Sequence, residues 1–395
     1  MYSLDDFGKM MRDNVRMGAH IEALQRAITP TSTLMEIGTG TGVFALIACQ
    51  LGARHVYAVE TNSLIEFGKK MAVDNHFADR ITFIQGDTTE ITLPEQVDIV
   101  FGDCRGQLPL LDRLPTTFAD AKKRHLKPGG ILMPHQDTLY ITLVQAPELY
   151  NTEILTPWAI NPYGLDMKAA LETITNETLS RYAIAKTRAL TMDNVLFPPR
   201  VLDTLAYGER TDLRFGGTNR WVVETPGTAH FIHIWFDTEL YDGIGFSNAP
   251  GSPIHTTVYG TQTFPLKKPL PLLPGNVVEV RFQAVPIGRG YLLRWQTKLF
   301  EHEGAQKPTL VFDQSPWFTN EFFAEPVRNL PKRAPNYIPK LSPGGLAEAF
   351  ILDAMAAGTQ TIEEITRQTQ ARFPEIFTTY EQALEKVADL SYQFS

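Results

Sequence analysis

The chain has 395 residues, 43% of them hydrophobic and 20% charged, a composition typical of a globular protein with two or three domains. A formal net charge of −8 argues against a nucleic-acid partner, because phosphate contacts need a basic surface. Two cysteines without paired spacing predict neither a disulfide framework nor a metal site. Together with a charged start that is no signal peptide, they favour a cytoplasmic protein. No apolar run has the about 20 residues of a membrane span, so no membrane partner is expected.

The first predicted unit is a strand, a glycine turn, a helix and a second strand within residues 33–60. TLMEI predicts the first strand, GTGTG the turn, VFALIACQLGA an amphipathic helix, and HVYAVE a strand that ends at Glu60. Glycines let the backbone approach a ligand and expose the amides of the helix N-terminus. An acid at the end of the second strand can accept both ribose hydroxyls, so the sequence predicts a Rossmann-type nucleotide site.

The spacing of the turn distinguishes two cofactors. Gly38, Gly40 and Gly42 form G-x-G-x-G, and Glu36 precedes them by two residues. Dinucleotide-binding turns instead have G-x-G-x-x-G. The pattern favours S-adenosyl-L-methionine (SAM), with S-adenosyl-L-homocysteine as product, over NAD. A turn that binds no ligand is the third interpretation.

Two later strands end in acids that should meet this turn. RITFIQGD ends at Asp87, suited to the adenine edge, and QVDIVFGD ends at Asp103. Carboxyl ends of parallel strands lie at one edge of a sheet, where open α/β proteins bind ligands. A second acid, Asp112, follows nine residues after Asp103. Acids at strand ends also cap helices, and Asp112 could form an exposed ion pair with its neighbour. Cys104 is expected to be a packed thiol rather than a nucleophile.

Several segments carry a resemblance to one family. MMRDNVR (10–16), MEIGTGTGVFALIACQLGARHVYAVE, LPEQVDIVFGDCRG, LKPGGILMP, YGLDM (163–167) and GFSNAPGSP (245–253) are similar to segments of the protein arginine methyltransferases. The resemblance spans residues 2 to about 300. It implies a SAM-binding Rossmann domain, a β-barrel domain and a head-to-tail homodimer formed through an arm near 160–185.

The resemblance also assigns residues. Arg16 would pair with the SAM carboxylate, and Asp103 and Asp112 stand where the family grips a guanidinium with two glutamates. Met10 and Arg105 would lie near the substrate, and His255 near the family's Thr-His-Trp loop. The implied cofactor site comprises Arg16, Glu36, Gly38, Thr39, Gly40, Gly42, Glu60, Thr61, Asp87 and Thr88.

The acid loop departs from the family pattern. Aspartates replace both glutamates, and each reaches roughly 1.2–1.5 Å less, about one bond. Arg105 enters the loop, where its guanidinium could occupy the acids itself and repel an arginine substrate. The family's tryptophan is absent after His255, which could also be an ordinary packed histidine. Asp103 is the predicted proton acceptor, Asp112 would position the substrate, and His255 would support them.

Two classes of function remain open. The first is an enzyme, a SAM-dependent N-methyltransferase acting on an arginine or a neutral amide such as asparagine in a protein or peptide, or on a small-molecule amine. The second is a catalytically silent SAM-binding scaffold. The altered acid loop favours the scaffold, and the intact cofactor turn favours the enzyme.

The remainder of the chain predicts two further parts. Short β-type runs between 135 and 330 predict an antiparallel sheet or barrel. A Pro-rich linker follows at 331–345, and 346–395 predict three amphipathic helices, with Thr361 and Glu364 forming a capping box. The tail has a net negative charge, which argues against DNA binding. It could be a winged-helix-like module that holds leader peptides, or a structural cap. The predicted fold class is therefore α/β, a methyltransferase domain at 1–134, a barrel at 135–330 and a small helical module.

Overall fold

The computed structural model describes residues 3–106, 108–109, 114–179, 190–210, 212–256, 258–287, 290–315 and 338–394. The chain divides into two compact units, residues 1–327 and residues 328–395. Among the described helices, none is both long and apolar enough to cross a bilayer.

The first part of the larger unit is a five-stranded parallel sheet with the order β3-β2-β1-β4-β5. Its strands are β1 (Thr33–Ile37), β2 (His55–Glu60), β3 (Ile81–Gln85), β4 (Val97–Gly102) and β5 (Leu126–Met133). Its helices are α1 (Leu4–Arg12), α2 (Asn14–Ala27), α3 (Val43–Gln50), α4 (Ile65–Asp74) and α5 (Leu114–Arg124). All five residues of β1 are buried, as expected of a strand covered on both faces. The order places the β1–α3 turn at the point where the connections change direction.

Two antiparallel sheets follow in the same unit, and they confirm the predicted β-rich part. The first is β10-β9-β6-β7, with β11 paired to β9, and the second is β14-β13-β12-β8. The strands are β6 (Gln136–Val144), β7 (Arg200–Ala206), β8 (Phe215–Val222), β9 (Gly227–Tyr241), β10 (Ile244–Ser247), β11 (Gln262–Leu272), β12 (Val277–Ile287), β13 (Gly290–Phe300) and β14 (Leu310–Gln314). Trp221, Trp235 and Trp295 are buried in their core.

Short helices connect β6 to β7. They are α6 (Pro147–Tyr150), a π-helical turn (Asn151–Leu155), α7 (Lys168–Ile174) and a 3₁₀ turn (Met192–Asn194). Tyr150 and Ile154 anchor this segment to the sheet, and the Tyr150 hydroxyl donates to the Leu266 carbonyl at 2.8 Å. Ile160, Tyr163 and Leu165 are more than half exposed. Part of the predicted dimerisation arm, 180–185, lies outside the described residues.

The smaller unit contains three helices, α8 (Pro343–Ala357), α9 (Ile362–Arg372) and α10 (Tyr380–Phe394). The predicted capping box is confirmed, because Glu364 N donates to Thr361 Oγ1 and Thr361 N donates to the Glu364 carboxylate. Ile351, Ile365 and Val387 form its core. Residues 338–394 contain no strand, so the helical prediction holds but the winged-helix interpretation finds no β wing in this range.

Candidate functional site

The glycine turn has a backbone conformation that only glycine adopts without strain. Gly38, Gly40 and Gly42 have φ values of 68°, 55° and 80°, in the left-handed region. Gly42 caps the N-terminus of α3. The turn therefore lies beside the carboxyl ends of β1 and β4, the position at which open α/β sheets bind nucleotides.

Glu60 closes the turn from the end of β2. Its Oε2 accepts a hydrogen bond from Gly40 N at 2.9 Å, and its Oε1 accepts one from Asn62 N at 2.9 Å. The Thr61 hydroxyl donates to the same carboxylate at 3.3 Å. The structure thus brings the predicted ribose acid against the predicted turn.

Glu36 lies beneath the turn on β1 and is 3% exposed. The Thr39 hydroxyl donates to Glu36 Oε2 at 2.6 Å. Burial raises the pKa of the Glu36 carboxyl to about 8, because the charged form loses its hydration. Glu36 and Thr39 therefore form one buried hydrogen-bonded pair that supports Gly38 and Gly40.

Asp87 and Thr88 follow β3 at the same edge. Asp87 Oδ1 accepts hydrogen bonds from the amide and hydroxyl of Thr89, at 2.9 and 2.7 Å. Thr88 is buried, and its carbonyl accepts from Arg124 at 2.6 Å. These contacts fix the loop after β3, which the sequence predicts to face an adenine.

Two side chains lie directly on the glycine turn. A methyl group added at Gly40 would be 2.4 Å from the Phe7 ring, and one added at Gly38 would be 2.4 Å from Cys104 Sγ. The Cys104 thiol also donates to the Ile37 carbonyl at 3.3 Å, and burial raises its pKa. Cys104 is thus a packed thiol, and Phe7, on α1, covers the turn.

Asp103 lies just after β4 in a dense group of donors. Its Oδ2 accepts from Arg16 Nε at 2.7 Å, and its Oδ1 accepts from Arg105 Nη1 at 2.6 Å. The Tyr259 hydroxyl donates to both oxygens, at 2.7 and 2.5 Å. Although burial opposes ionisation, the two guanidiniums and the hydroxyl hold the pKa of Asp103 far below its usual range. In this arrangement Asp103 is an ionised ion-pair partner and a very weak base.

Arg105 links the two parts of the larger unit. Its Nε donates to Asp137 Oδ2 at 3.0 Å, while its Nη1 reaches Asp103. The Tyr207 hydroxyl donates to Asp137 at 2.6 Å, and the Arg105 guanidinium lies 5.5 Å from the centre of the Phe246 ring. The Arg105 side chain is fully buried. The contact between Arg105 and Asp103 is the one that the sequence suggested, in which Arg105 occupies an acid of the loop.

The loop after β10 is fixed to the start of α2. Asp13 caps α2 by accepting from Arg16 N at 3.0 Å, and its second oxygen accepts from the Thr256 hydroxyl at 2.6 Å and Val258 N at 3.1 Å. The His255 ring bonds to the Ala249 carbonyl at 2.8 Å. His255 therefore stabilises its own loop, and Tyr259 supplies the contact with Asp103.

A buried histidine completes the surroundings of Asp103. His20 Nε2 lies 3.7 Å from Asp103 Oδ2, and His20 Nδ1 bonds to the Arg16 carbonyl at 2.8 Å. Its ring packs on Phe44, Phe101 and Phe246. Burial lowers the pKa of His20 to about 3, so the ring is neutral near pH 7.

Besides Asp103, Arg105 and His255, described above, the remaining sequence-predicted residues differ in where they lie. The cofactor set lies together around the turn, except that Arg16 binds Asp103. Met10 contributes only its carbonyl, which accepts from Arg16 at 3.4 Å. Asp112 lies outside the described residues. Four residues around Asp103 belong to no sequence motif and were not predicted: His20, Asp137, Tyr207 and Tyr259. Of these, only Tyr259 has a sequence signal, because it is an aromatic residue four positions after His255.

The sheet order, the glycine turn and the acid at the end of β2 define a Rossmann-type methyltransferase domain. In agreement, the family model of ribosomal protein L11 methyltransferase (PrmA) matches residues 18–133. Protein arginine N-methyltransferase 8-B of Danio rerio is 27% identical over 252 residues, which are 62% of this chain and 58% of that protein. Protein arginine N-methyltransferase 1 of Chlamydomonas reinhardtii is 31% identical over 174 residues, 43% of this chain and 50% of that protein.

Solved structures agree with these relatives. Arabidopsis thaliana protein arginine methyltransferase 10 is similar with a TM-score of 0.65 and 19% identity, covering 78% of this chain and 97% of that one. The Trypanosoma brucei PRMT1 enzyme–prozyme heterotetrameric complex with AdoHcy gives a TM-score of 0.67, 21% identity and coverage of 78% and 96%. The chain is therefore similar in sequence to part of the protein arginine N-methyltransferases and shares the fold of these solved structures. It spans a little over half the length of the first two curated relatives, 58% and 56%.

Proposed function

We propose that this chain is a SAM-dependent methyltransferase that transfers a methyl group to a side-chain nitrogen of a protein or peptide. The observation that carries the proposal is the left-handed G-x-G-x-G turn with Glu60 bound to Gly40 N. The names of the relatives supply the reaction class. Bound SAM would supply an electrophilic methyl group on a sulfonium.

The residues around the turn fit this cofactor. A ribose needs a carboxylate acceptor, which Glu60 provides, and the three glycines of the turn carry no side chains of their own. Phe7 covers Gly40, so cofactor entry requires α1 to move. That movement costs little packing energy, because no residue of α1 is buried.

The chemistry of the proposed step depends on Asp103. An acceptor nitrogen must be held in line with the sulfonium, and a base must take its proton. Asp103 becomes a stronger base only when Arg16 or Arg105 leaves it. The proposal assigns Arg16 to the carboxylate of the cofactor, which would remove one of these two guanidiniums from Asp103.

Two measurements test the proposal. Titration of the full chain with SAM should show binding, and peptides encoded beside this gene should gain methyl groups detectable by mass spectrometry. Absence of SAM binding would eliminate the proposed function. Asp103→Asn should abolish turnover while the variant still binds SAM; unchanged turnover would show that Asp103 is not the base.

The second candidate is a SAM-binding subunit without catalysis. The closed Asp103–Arg105 pair favours it, because a carboxylate with two guanidiniums accepts protons poorly. This candidate predicts SAM binding with no methyl transfer to any peptide.

We also propose a homodimer in the cytoplasm. The exposed apolar side chains of Ile160, Tyr163 and Leu165 in the connection between β6 and β7 support the dimer, since such residues mark contact surfaces. Analytical ultracentrifugation of the wild type and of a variant with Tyr163→Glu and Leu165→Glu tests it. A wild type that is monomeric at micromolar concentration would contradict the dimer.

A further inference from the structure

The surroundings of Arg105 form a binding site for a guanidinium, with partners for its Nε and Nη1. Asp103 and Asp137 each bind one edge of the group, at 2.6 and 3.0 Å, and Phe246 lies on its face. Paired carboxylates and an aromatic face are the environment that recognises an arginine side chain. Here an arginine of the chain itself fills that environment.

The local charge leaves no attraction for a second guanidinium. Two carboxylates, Asp103 and Asp137, face two guanidiniums, Arg16 and Arg105, so the charges balance. His20, Tyr207 and Tyr259 stay neutral near pH 7, because burial lowers the pKa of the histidine and raises those of the tyrosines. An incoming cation would find both carboxylates already paired with the buried guanidiniums of Arg16 and Arg105.

Burial makes this arrangement hard to replace. The side chains of Asp103, Arg105 and Asp137 are 4%, 0% and 0% exposed. Displacing Arg105 would leave it as an unpaired buried charge, which costs several kcal/mol. A substrate arginine would have to supply that free energy from its own contacts with the same carboxylates.

We infer that Arg105 is a specificity-determining residue that occupies the acceptor carboxylate Asp103 with an internal guanidinium and thereby excludes arginine as the methyl acceptor. The acceptor is then a nitrogen that carries no charge. The inference rests on the proposed function, because it concerns the acceptor of the proposed methyl transfer.

One prediction distinguishes a specificity-determining role of Arg105 from a merely structural role in an ion pair. Removing its guanidinium should create affinity for arginine, whereas loss of a structural pair only lowers stability. The variant Arg105→Ala leaves a space and two carboxylates facing only Arg16, so it is the variant expected to gain affinity for arginine. The variant Arg105→Met with Asp137→Asn removes one charge of each sign, so Asp103 keeps Arg16, the balance is preserved, and this variant is the control.

The probes are two peptides that differ in one group. One contains arginine and the other contains citrulline at the same position, which has a similar shape without the charge. Their binding to the full chain is measured by calorimetry in the presence of S-adenosylhomocysteine. The thermal unfolding of each variant shows whether it is folded.

The wild type should bind the arginine peptide no better than the citrulline peptide. Folded Arg105→Ala should bind the arginine peptide at least about tenfold more tightly than the wild type does, which corresponds to about 1.4 kcal/mol, and the charge-balanced double variant should show no such gain. Preferential binding of arginine by the wild type, no gain of arginine affinity in folded Arg105→Ala, or an equal gain in the double variant would overturn the inference. Methylguanidinium, which is small enough to enter the space left by Arg105, should raise the melting temperature of Arg105→Ala more than that of the wild type.

These readouts are independent of methyl transfer. If SAM and S-adenosylhomocysteine do not bind, the proposed function fails, and peptide binding without nucleotide still reports on the guanidinium site. If the nucleotide binds and folded Arg105→Ala gains no affinity for arginine, only the role of Arg105 fails.

Discussion

Arg16 Nε donates to Asp103 Oδ2 at 2.7 Å, and both side chains are more than nine-tenths buried. The family resemblance assigns Arg16 to the carboxylate of SAM, yet the structure pairs it with Asp103. One guanidinium therefore has two candidate anionic partners, and on the proposed function the cofactor carboxylate would compete with Asp103 for Arg16.

This competition makes a prediction for Asp103→Asn. Loss of the negative charge frees Arg16, so SAM should bind more tightly, by up to about tenfold. Decarboxylated SAM lacks the competing anion, and its affinity should not change. Calorimetric titration of wild type and variant with both ligands measures the difference. Equal effects on the two ligands would show that Arg16 does not contact the cofactor carboxylate.

The same substitution should lower stability. Asparagine leaves Arg16 and Arg105 with only Asp137 as a charged partner, and breaking a buried ion pair costs about 3–5 kcal/mol. Chemical denaturation monitored by circular dichroism gives the free energy of unfolding. Asp242→Asn is the control, because the Asp242–Arg26 pair is exposed at the surface and should contribute under about 1 kcal/mol.

A substitution at Gly40 tests the cofactor turn. Gly40→Ala places a side chain at φ 55°, which costs about 1–2 kcal/mol, and puts its methyl group 2.4 Å from the Phe7 ring. We expect α1 to be displaced and to become sensitive to protease. Gly52→Ala is the control, since Gly52 also has a positive φ but nothing lies within 4 Å of the added atom. If protease sensitivity of α1 rises equally in both variants, Phe7 does not lie on the turn.

Glu36 makes stability depend on pH in a defined direction. Its pKa is about 8 in the folded chain against 4.5 for the free side chain, so the folded state retains a proton that the unfolded state releases. The stabilising contribution is complete below pH 4.5 and is lost as the pH rises to about 8, on the order of 1 kcal/mol per unit. Glu36→Gln stays neutral, so its stability relative to the wild type should increase between pH 5 and pH 8. A constant difference across this window would mean that Glu36 is ionised throughout.

His20 acts in the opposite direction. Its pKa is about 3 in the folded chain against 6.5 in the unfolded chain, so between these values the unfolded state binds a proton that the folded state does not bind. The charged groups around it are Asp103, Arg16 and Arg105. Stability should therefore fall as the pH drops from 6.5 towards 3. His20→Phe keeps the ring packing, and its denaturation curves should depend less on pH in this range; an identical dependence would contradict the assignment.

Asp13 joins α2 to the loop that carries Tyr259. Asp13→Ala should cost about 2–4 kcal/mol, because it removes both the helix cap and two acceptor contacts to Thr256 and Val258. The serine of Asp13→Ser retains a capping oxygen, but its side chain is too short to reach Thr256 and Val258 in the loop. Comparing the unfolding free energies of the two variants separates the cap from the loop contacts. Equal losses in both would show that the cap contributes nothing measurable.

The sequence alone determined the local elements and the cofactor turn. The spacing of Gly38, Gly40 and Gly42 and the acids at strand ends follow from backbone sterics and from the period of buried residues, which act over a few positions. That is why Glu60 could be placed against the turn without a structure. The resemblance likewise indicated Arg16 and the two-acid loop as parts of the site.

The tertiary structure decided which of these charges meet. Asp103 receives Arg16 from α2, Arg105 from its own loop and Tyr259 from beyond β10, and Arg105 continues to Asp137 on β6. These partners lie up to 156 residues apart along the chain, so no local pattern records their distances. The protonation state of a buried carboxylate depends on the neighbours that the packing of two sheets places around it. Desolvation and Coulomb attraction act through space and not along the sequence.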